Sequence, residues 1–266
     1  MMTRFPTRSL IASGLALSFG AASASAGTIT FQESVNLFQG TTTQDFVDTT
    51  GDLAVALNAT NNVPGSVTVN GVTFVNAGDG LAATGDTATV TGSTGESITI
   101  VARGSVPTAF GDGEFSSDGD IFNLIAGAAF GVTDLNLAGL TIGQEYLLQI
   151  FVNDARGSRD TDFVTGLGGT VDSPEAQVVV NNSPADGSAP TGEGETNAGD
   201  FILAAFVAES TTESIPVFSS LDGGATFGIG GGSAQINAVQ LRVVPEPASL
   251  ALIGLGSLAL VARRKR

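Results

Sequence analysis

The sequence contains no cysteine, no histidine and no tryptophan, and it has a single tyrosine. Without cysteine there is no disulfide to staple a small fold, so stability must come from a hydrophobic core. Without histidine there is no Ser-His-Asp or Cys-His catalysis and no His-ligated metal. That sets aside the zinc and copper enzymes and leaves oxygen-ligated calcium or magnesium. Without tryptophan, and with Tyr146 inside an apolar run, flat exposed rings of the kind that stack on sugars are scarce. Most of the phenylalanines fall in strand patterns and read as core.

Basic residues are also few, ten against 26 acidic. Six of the ten lie at the two ends of the chain: Arg4, Arg8, Arg263, Arg264, Lys265 and Arg266. Residues 27–244 keep four, Arg103, Arg156, Arg159 and Arg242, against 25 acidic residues, a net charge of −21. Such a surface repels nucleic acid and anionic lipid. It suits a neutral or cationic partner, or divalent cations.

The two ends of the chain are the most legible parts. Arg4 and Arg8 precede an apolar run from Leu10 to Phe19, followed by Ala24-Ser25-Ala26 and Gly27. A charged start, a short apolar middle and an A-x-A site describe a secretory signal peptide, residues 1–26, cut by signal peptidase between Ala26 and Gly27. The run is short of the ~20 residues that a membrane span needs.

At the other end Pro245-Glu246-Pro247 leads into the apolar stretch Ala248–Ala262 and then Arg263, Arg264, Lys265 and Arg266. Positive flanks stay in the cytoplasm. Residues 27–244 are thereby placed on the far side of the inner membrane, as the signal peptide also requires. At about 1.5 Å per residue the stretch spans ~23 Å as a helix, less than the ~30 Å hydrocarbon core. That suits a transient anchor better than a permanent one, and it is the chain's expected membrane contact.

Pro245-Glu246-Pro247, the short apolar helix and the basic tail together resemble the PEP-CTERM sorting domain, residues 245–266. That family occurs in Gram-negative bacteria that make extracellular polymeric substance. The resemblance implies processing by an exosortase near the motif and release or attachment at the cell surface or in the extracellular matrix.

Between the ends, residues 27–244 are long enough for one all-β domain with a real core. Short apolar runs alternate with turn residues and helical periodicity is scarce, the pattern of an antiparallel β-sandwich or jelly roll. Val67–Val69 and Val72–Phe74 flank Asn70-Gly71, which accepts the φ > 0 values of a type I′ turn and predicts a hairpin. Further strands are expected over Ser97–Ala102, Glu145–Asn153, Gln177–Val180, Phe201–Ala208, Ser214–Phe218 and Gln235–Val244. Leu53–Asn58 and Asp120–Phe130 read as short helices, the second with Asp120 as N-cap. Residues 183–199 read as a long exposed loop. The clustered glycines Gly223-Gly224, Gly228 and Gly230–Gly232 have no following lysine or helix and read as turns.

A second resemblance rests on Leu53–Asn58, on Val69–Phe74, on Leu140–Arg159 with Asn153-Asp154-x-Arg156, and on Gln235–Arg242. These ordered landmarks are similar to a β-sandwich domain of secreted proteins from planctomycete-like and related bacteria. The resemblance implies a jelly roll similar to carbohydrate-binding domains and carries no activity with it.

Two constellations stand out as candidate sites. Asn153, Asp154, Arg156 and Arg159 follow a buried strand, where sandwiches place binding groups, and the guanidinium fork suits sugar hydroxyls or carboxylates. With Asp154, Asp160 and Asp162 at hand the same residues also form a salt-bridge cluster, the reading that so acidic a chain favours. Asp112, Glu114, Asp118 and Asp120 place oxygen ligands in a Gly-rich loop, a speculative calcium site. The EF-hand pattern fails there: Ser117 stands where glycine is needed and Asn123 where a glutamate is. Otherwise it is a solvated acidic loop. No catalytic residue is assigned. The expectation is a non-enzymatic surface protein associated with exopolysaccharide. The alternatives are a carboxylate-based polysaccharide hydrolase, for which no carboxylate pair stands out, and a self-associating matrix component.

Overall fold

The computed structural model describes residues 28–38, 44–60, 65–81, 83–106, 119–125, 127–153, 163–179, 197–231 and 234–245. Among them an eight-stranded sheet runs in the order Thr30–Phe31, Asn197–Val207, Glu145–Val152, Ala238–Val243, Asp52–Asn58, Val72–Asn76, Ser66–Val69, with Val35–Phe38 also paired to Asn197–Val207. A seven-stranded sheet runs Ala176–Val179, Val164–Leu167, Thr212–Ser220, Asp134–Ala138, Ser97–Ala102, Asp86–Thr91, with Gly228–Ile229 joined to Thr212–Ser220. A small third sheet joins Gln235–Ile236, Ala128–Phe130 and Gly104–Val106.

The two large sheets face each other, which makes the chain a mostly-β sandwich. Alternate residues of one sheet (Leu148, Ile150, Ile202, Val239, Leu241) and of the other (Ile98, Ile100, Leu135, Ile215, Val217) share one buried core. Period-two alternation puts every second side chain on one face, and here the two sheets bury their apolar sets by stacking on each other. Tyr146 closes one end of this core. Its ring stacks on Phe206 at 5.6 Å, and its hydroxyl accepts a hydrogen bond from the Thr141 backbone N–H at 2.9 Å.

The expected hairpin is present as Ser66–Val69 and Val72–Asn76, with Asn70 at φ 48 and Gly71 at φ 75. The expected strands are present within a few residues of their predicted limits, except that Gln235–Val244 is broken at Asn237. One pairing departs from an all-antiparallel sandwich: Leu57 and Asn58 lie parallel to Val75 and Asn76.

Both helix expectations need correction. Asp52–Asn58 is a strand in the middle of the large sheet. From Ala54 to Asn58 it is buried on both faces, and such a strand lacks the alternation that would distinguish it from a helix. The second helix is shorter, Gly119–Ile125, and the chain then turns into the strand Ala128–Phe130. Asp120 lies within the first turn rather than capping it, where its carboxylate still favours the positive end of the helix. Of the expected loop 183–199, Asn197–Gly199 already belong to a strand, and the remainder lies outside the described residues.

The helix and the segment Gln44–Gly51 lie on the far face of the large sheet. There Ile121, Leu124 and Ile125 join Ala56, Phe74, Phe151, Phe201 and Ala238 in a second core. Phe151 is its centre, with Phe46, Phe74 and Phe201 each at a ring distance of 6.0 Å.

Candidate functional site

Asn153, expected to meet a ligand, is buried and structural. Its side-chain amide donates to the carbonyl of Ile125, the last helical residue, at 3.1 Å. Its own N–H donates to Asn237 Oδ1 at 2.5 Å. Asn237 in turn donates through Nδ2 to Ile125 O at 2.7 Å and Gly127 O at 2.9 Å, and Asn58 Nδ2 donates to Asn123 O at 3.1 Å. The last carbonyls of a helix have no partner within it. Three asparagines, Asn58 at the end of a strand, Asn153 just after one and Asn237 at the break between two, supply those partners and so dock the helix. Asp154, Arg156 and Arg159 lie outside the described residues.

Of the speculative calcium set, Asp112, Glu114 and Asp118 lie outside the described residues, and Asp120 is exposed on the helix. Among the described residues no three histidine, cysteine or carboxylate side chains are grouped to hold a metal ion.

The described residues do form a polar cleft on the exposed face of the strands Val164–Leu167 and Ala176–Val179 at the edge of the seven-stranded sheet, between two loops. One is the tight turn after Val164–Leu167, closed by reciprocal Thr170 and Ser173 backbone hydrogen bonds of 3.2 and 3.0 Å. The other follows Thr212–Ser220 and is organised around Asp222. Ser220 Oγ donates to Asp222 Oδ1 at 2.6 Å, Thr226 N–H donates to the same oxygen at 2.9 Å, and Thr226 Oγ1 donates to Oδ2 at 2.5 Å. The Gly224 N–H closes the turn on Ser220 Oγ at 2.9 Å. These bonds, Ser220 first and then Thr226, hold the Asp222 carboxyl down at about 2.

The loop delivers Phe227 to the cleft. Its half-exposed ring lies over Gly166, where an added Cβ would come within 2.9 Å of both Phe227 Cε1 and Pro174 Cγ. The missing side chain therefore lets ring and proline form a common apolar floor. Around that floor stand Asp172, Ser173, Gln177 and Thr226, all exposed, in a cleft of about 500 Å³. Among the described residues no lysine or arginine lines it and the Gln177 amide forms no hydrogen bond. Sequence reading missed this site, because a phenylalanine, a strand glutamine and a glycine pair each read as core, strand and turn.

A buried carboxyl lies elsewhere. Asp200 pairs across the large sheet with Val152 and Asn36 and is 2% exposed. Its Oδ1 accepts no hydrogen bond, and burial pushes its carboxyl up to about 7.

Residues 243–266 match the PEP-CTERM protein-sorting motif. Of that segment Val243, the last residue of the central strand Ala238–Val243, is described together with Val244 and Pro245, which follow it. The chain therefore carries an exosortase-type sorting signal, which marks an exported protein held transiently in the membrane. Among the described residues no helix is long and apolar enough to cross a membrane. No curated protein matches the sequence. Among solved structures, Bacteroides uniformis β-glucuronidase 2 bound covalently to cyclophellitol-6-carboxylate aziridine aligns at a TM-score of 0.37 and 13% identity. A calcium-binding mutant of that enzyme aligns at 0.32 and 12%. Each alignment covers 73% of this chain and 18% of the enzyme's, so this chain spans under a fifth of their length. Likenesses of that size assign neither fold nor activity.

Proposed function

We propose that the β-sandwich is a non-enzymatic module of the cell surface or extracellular matrix that associates with polysaccharide. The observation that carries this reading is the sorting motif at residues 243–266, joined without a linker to the central strand Ala238–Val243. Release near Pro245 by an exosortase would leave the sandwich intact and outside the cell. The strongly acidic domain, with four basic residues in 27–244, supports a neutral partner over an anionic one. The absence of histidine and cysteine narrows hydrolysis to carboxylate chemistry.

The test is affinity electrophoresis of the full-length protein, in mild detergent, against the producing organism's exopolysaccharide. It is run with calcium and again with EDTA, and the polymer is assayed for new reducing ends. Retardation without turnover is the expected result. Calcium-dependent retardation that EDTA reverses would assign a role to the Asp112–Asp120 loop. Turnover abolished by removing one carboxylate would make the protein a hydrolase. No retardation in either condition would leave a structural, self-associating matrix protein.

A further inference from the structure

The cleft at the edge of the seven-stranded sheet has the composition of a site for a neutral sugar unit, and we propose that it binds one, through Phe227, Gln177, Asp172 and Ser173. The inference rests on the polysaccharide reading above and assigns it a place on the molecule.

Shape and chemistry support it separately. The volume of about 500 Å³ lies within the ~300–1,000 Å³ of small-molecule sites. A pyranose has an apolar C–H face and a rim of hydroxyls. The cleft offers the complement: an apolar floor of Phe227 and Pro174, with hydrogen-bonding groups around it. The Gln177 carboxamide brings two donors and an acceptor, the Asp172 carboxylate accepts, and the Ser173 hydroxyl does either. Gln177 has no hydrogen bond within the described residues, so a ligand takes nothing from the fold.

Charge narrows the class further. With Asp172 at the rim, no cationic side chain among the described lining residues and a net charge of −21 on residues 27–244, uronic acids and sulfated or phosphorylated sugars are repelled. Order lowers the entropic cost of binding. Asp222 fixes Thr226, and the following Phe227 is wedged against Gly166, so both are set before a ligand arrives.

The experiment is affinity electrophoresis of the full-length protein in gels containing dextran, galactomannan or xyloglucan. Polygalacturonate serves as the anionic control and the organism's exopolysaccharide as reference. The variants are Gln177→Ala, which removes an exposed amide, and Phe227→Leu, which keeps apolar bulk over Gly166 but loses the flat ring. Expected are retardation in the exopolysaccharide and in at least one neutral polymer, and an apparent Kd at least tenfold weaker in both variants, with unchanged thermal melting. Should Phe227→Leu fail to fold, Gln177→Ala still decides. Equal retardation of variants and wild type in the exopolysaccharide would overturn the site and leave the polysaccharide reading standing. Retardation by polygalacturonate alone would overturn the neutral-sugar assignment. Absence of retardation in every gel, the exopolysaccharide included, would sink both.

Discussion

One face of the eight-stranded sheet meets another sheet; the opposite face meets a seven-residue helix and the irregular segment Gln44–Gly51. The first contact is made by Leu148, Ile150, Ile202, Val239 and Leu241, all apolar. The second mixes Phe151, Phe201 and Ala238 with buried Asn58, Gln149, Asn153, Asn237, Gln240 and Arg242. The covering element explains the difference. A sheet arrives with its backbone groups already paired, so it needs only apolar side chains opposite. A helix end or an irregular strand of chain brings unpaired carbonyls, and buried carbonyls must find donors.

The second face supplies them in a row. Gln149 Nε2 donates to Phe46 O at 2.7 Å and Gln240 Nε2 to Asp48 O at 2.9 Å. Arg242 donates through Nε to Thr50 O at 2.8 Å and through Nη2 to Thr49 O at 3.1 Å and Gly51 O at 2.7 Å. Burial lowers the guanidinium pKa, against the raising effect of Asp48 and Asp52. One face is held by area, the other by donor geometry.

Substitutions can break this contrast. The largest effect is expected from Asn237→Leu, which strands the Asn153 N–H and the Gly127 carbonyl and leaves Ile125 O with one donor fewer. At about 1–3 kcal/mol per orphaned buried group, the two stranded groups should cost ~2–6 kcal/mol in urea denaturation. A loss under ~1 kcal/mol would mean that the helix is docked by its apolar residues alone. On the sheet-to-sheet face Ile150→Ala should cost about 2–5 kcal/mol through its cavity, with no change in pH dependence.

Asp200→Asn sharpens the same point from inside the sheet. Burial favours the neutral form of Asp200, so its contribution is fully present below the unfolded value of 3.8 and is lost as pH rises toward about 7. At about 1.4 kcal/mol per pKa unit, Asp200→Asn should stabilise by up to ~4 kcal/mol at pH 8 and change little at pH 4. Denaturation at the two pH values measures this, and an unchanged pH slope in the variant would refute it.

Arg242→Lys keeps the charge but loses the planar fork that reaches three carbonyls, and should cost about 1–3 kcal/mol. A cost near zero would show that charge alone suffices. The smallest effect is expected at Asp222, whose hydrogen bonds hold its carboxyl near 2. Their ordering of the cleft loop persists above the ordinary carboxylate range and fades as pH falls through 2. Asp222→Asn should speed amide exchange of Gly224 and Thr226 at neutral pH while leaving global stability almost unchanged.

Much of this was legible residue by residue. Asn70-Gly71 announced its hairpin because few residues tolerate φ > 0. The alternating runs announced strands because period two is a property of the extended chain. Leu53–Asn58 misled because burial on both faces erases that alternation. Asn153 misled because its place after a strand is the same whether the chain beyond it opens to solvent or lies beneath a helix. The cleft was illegible because Gly166, Gln177 and Phe227 belong to three segments that meet only in the fold.

The sequence by itself determined that this protein is exported and that its fold is mostly β. A sorting motif is a local, ordered string, and strand patterning is local too. Only the tertiary structure decided what the polar residues of Gln235–Arg242 are for. Read alone, that stretch is a strand and its polar residues carry no assignment. In the fold Asn237, Gln240 and Arg242 are buried, because the helix and the segment Gln44–Gly51 close over them and bring backbone carbonyls from up to 193 residues away for them to satisfy.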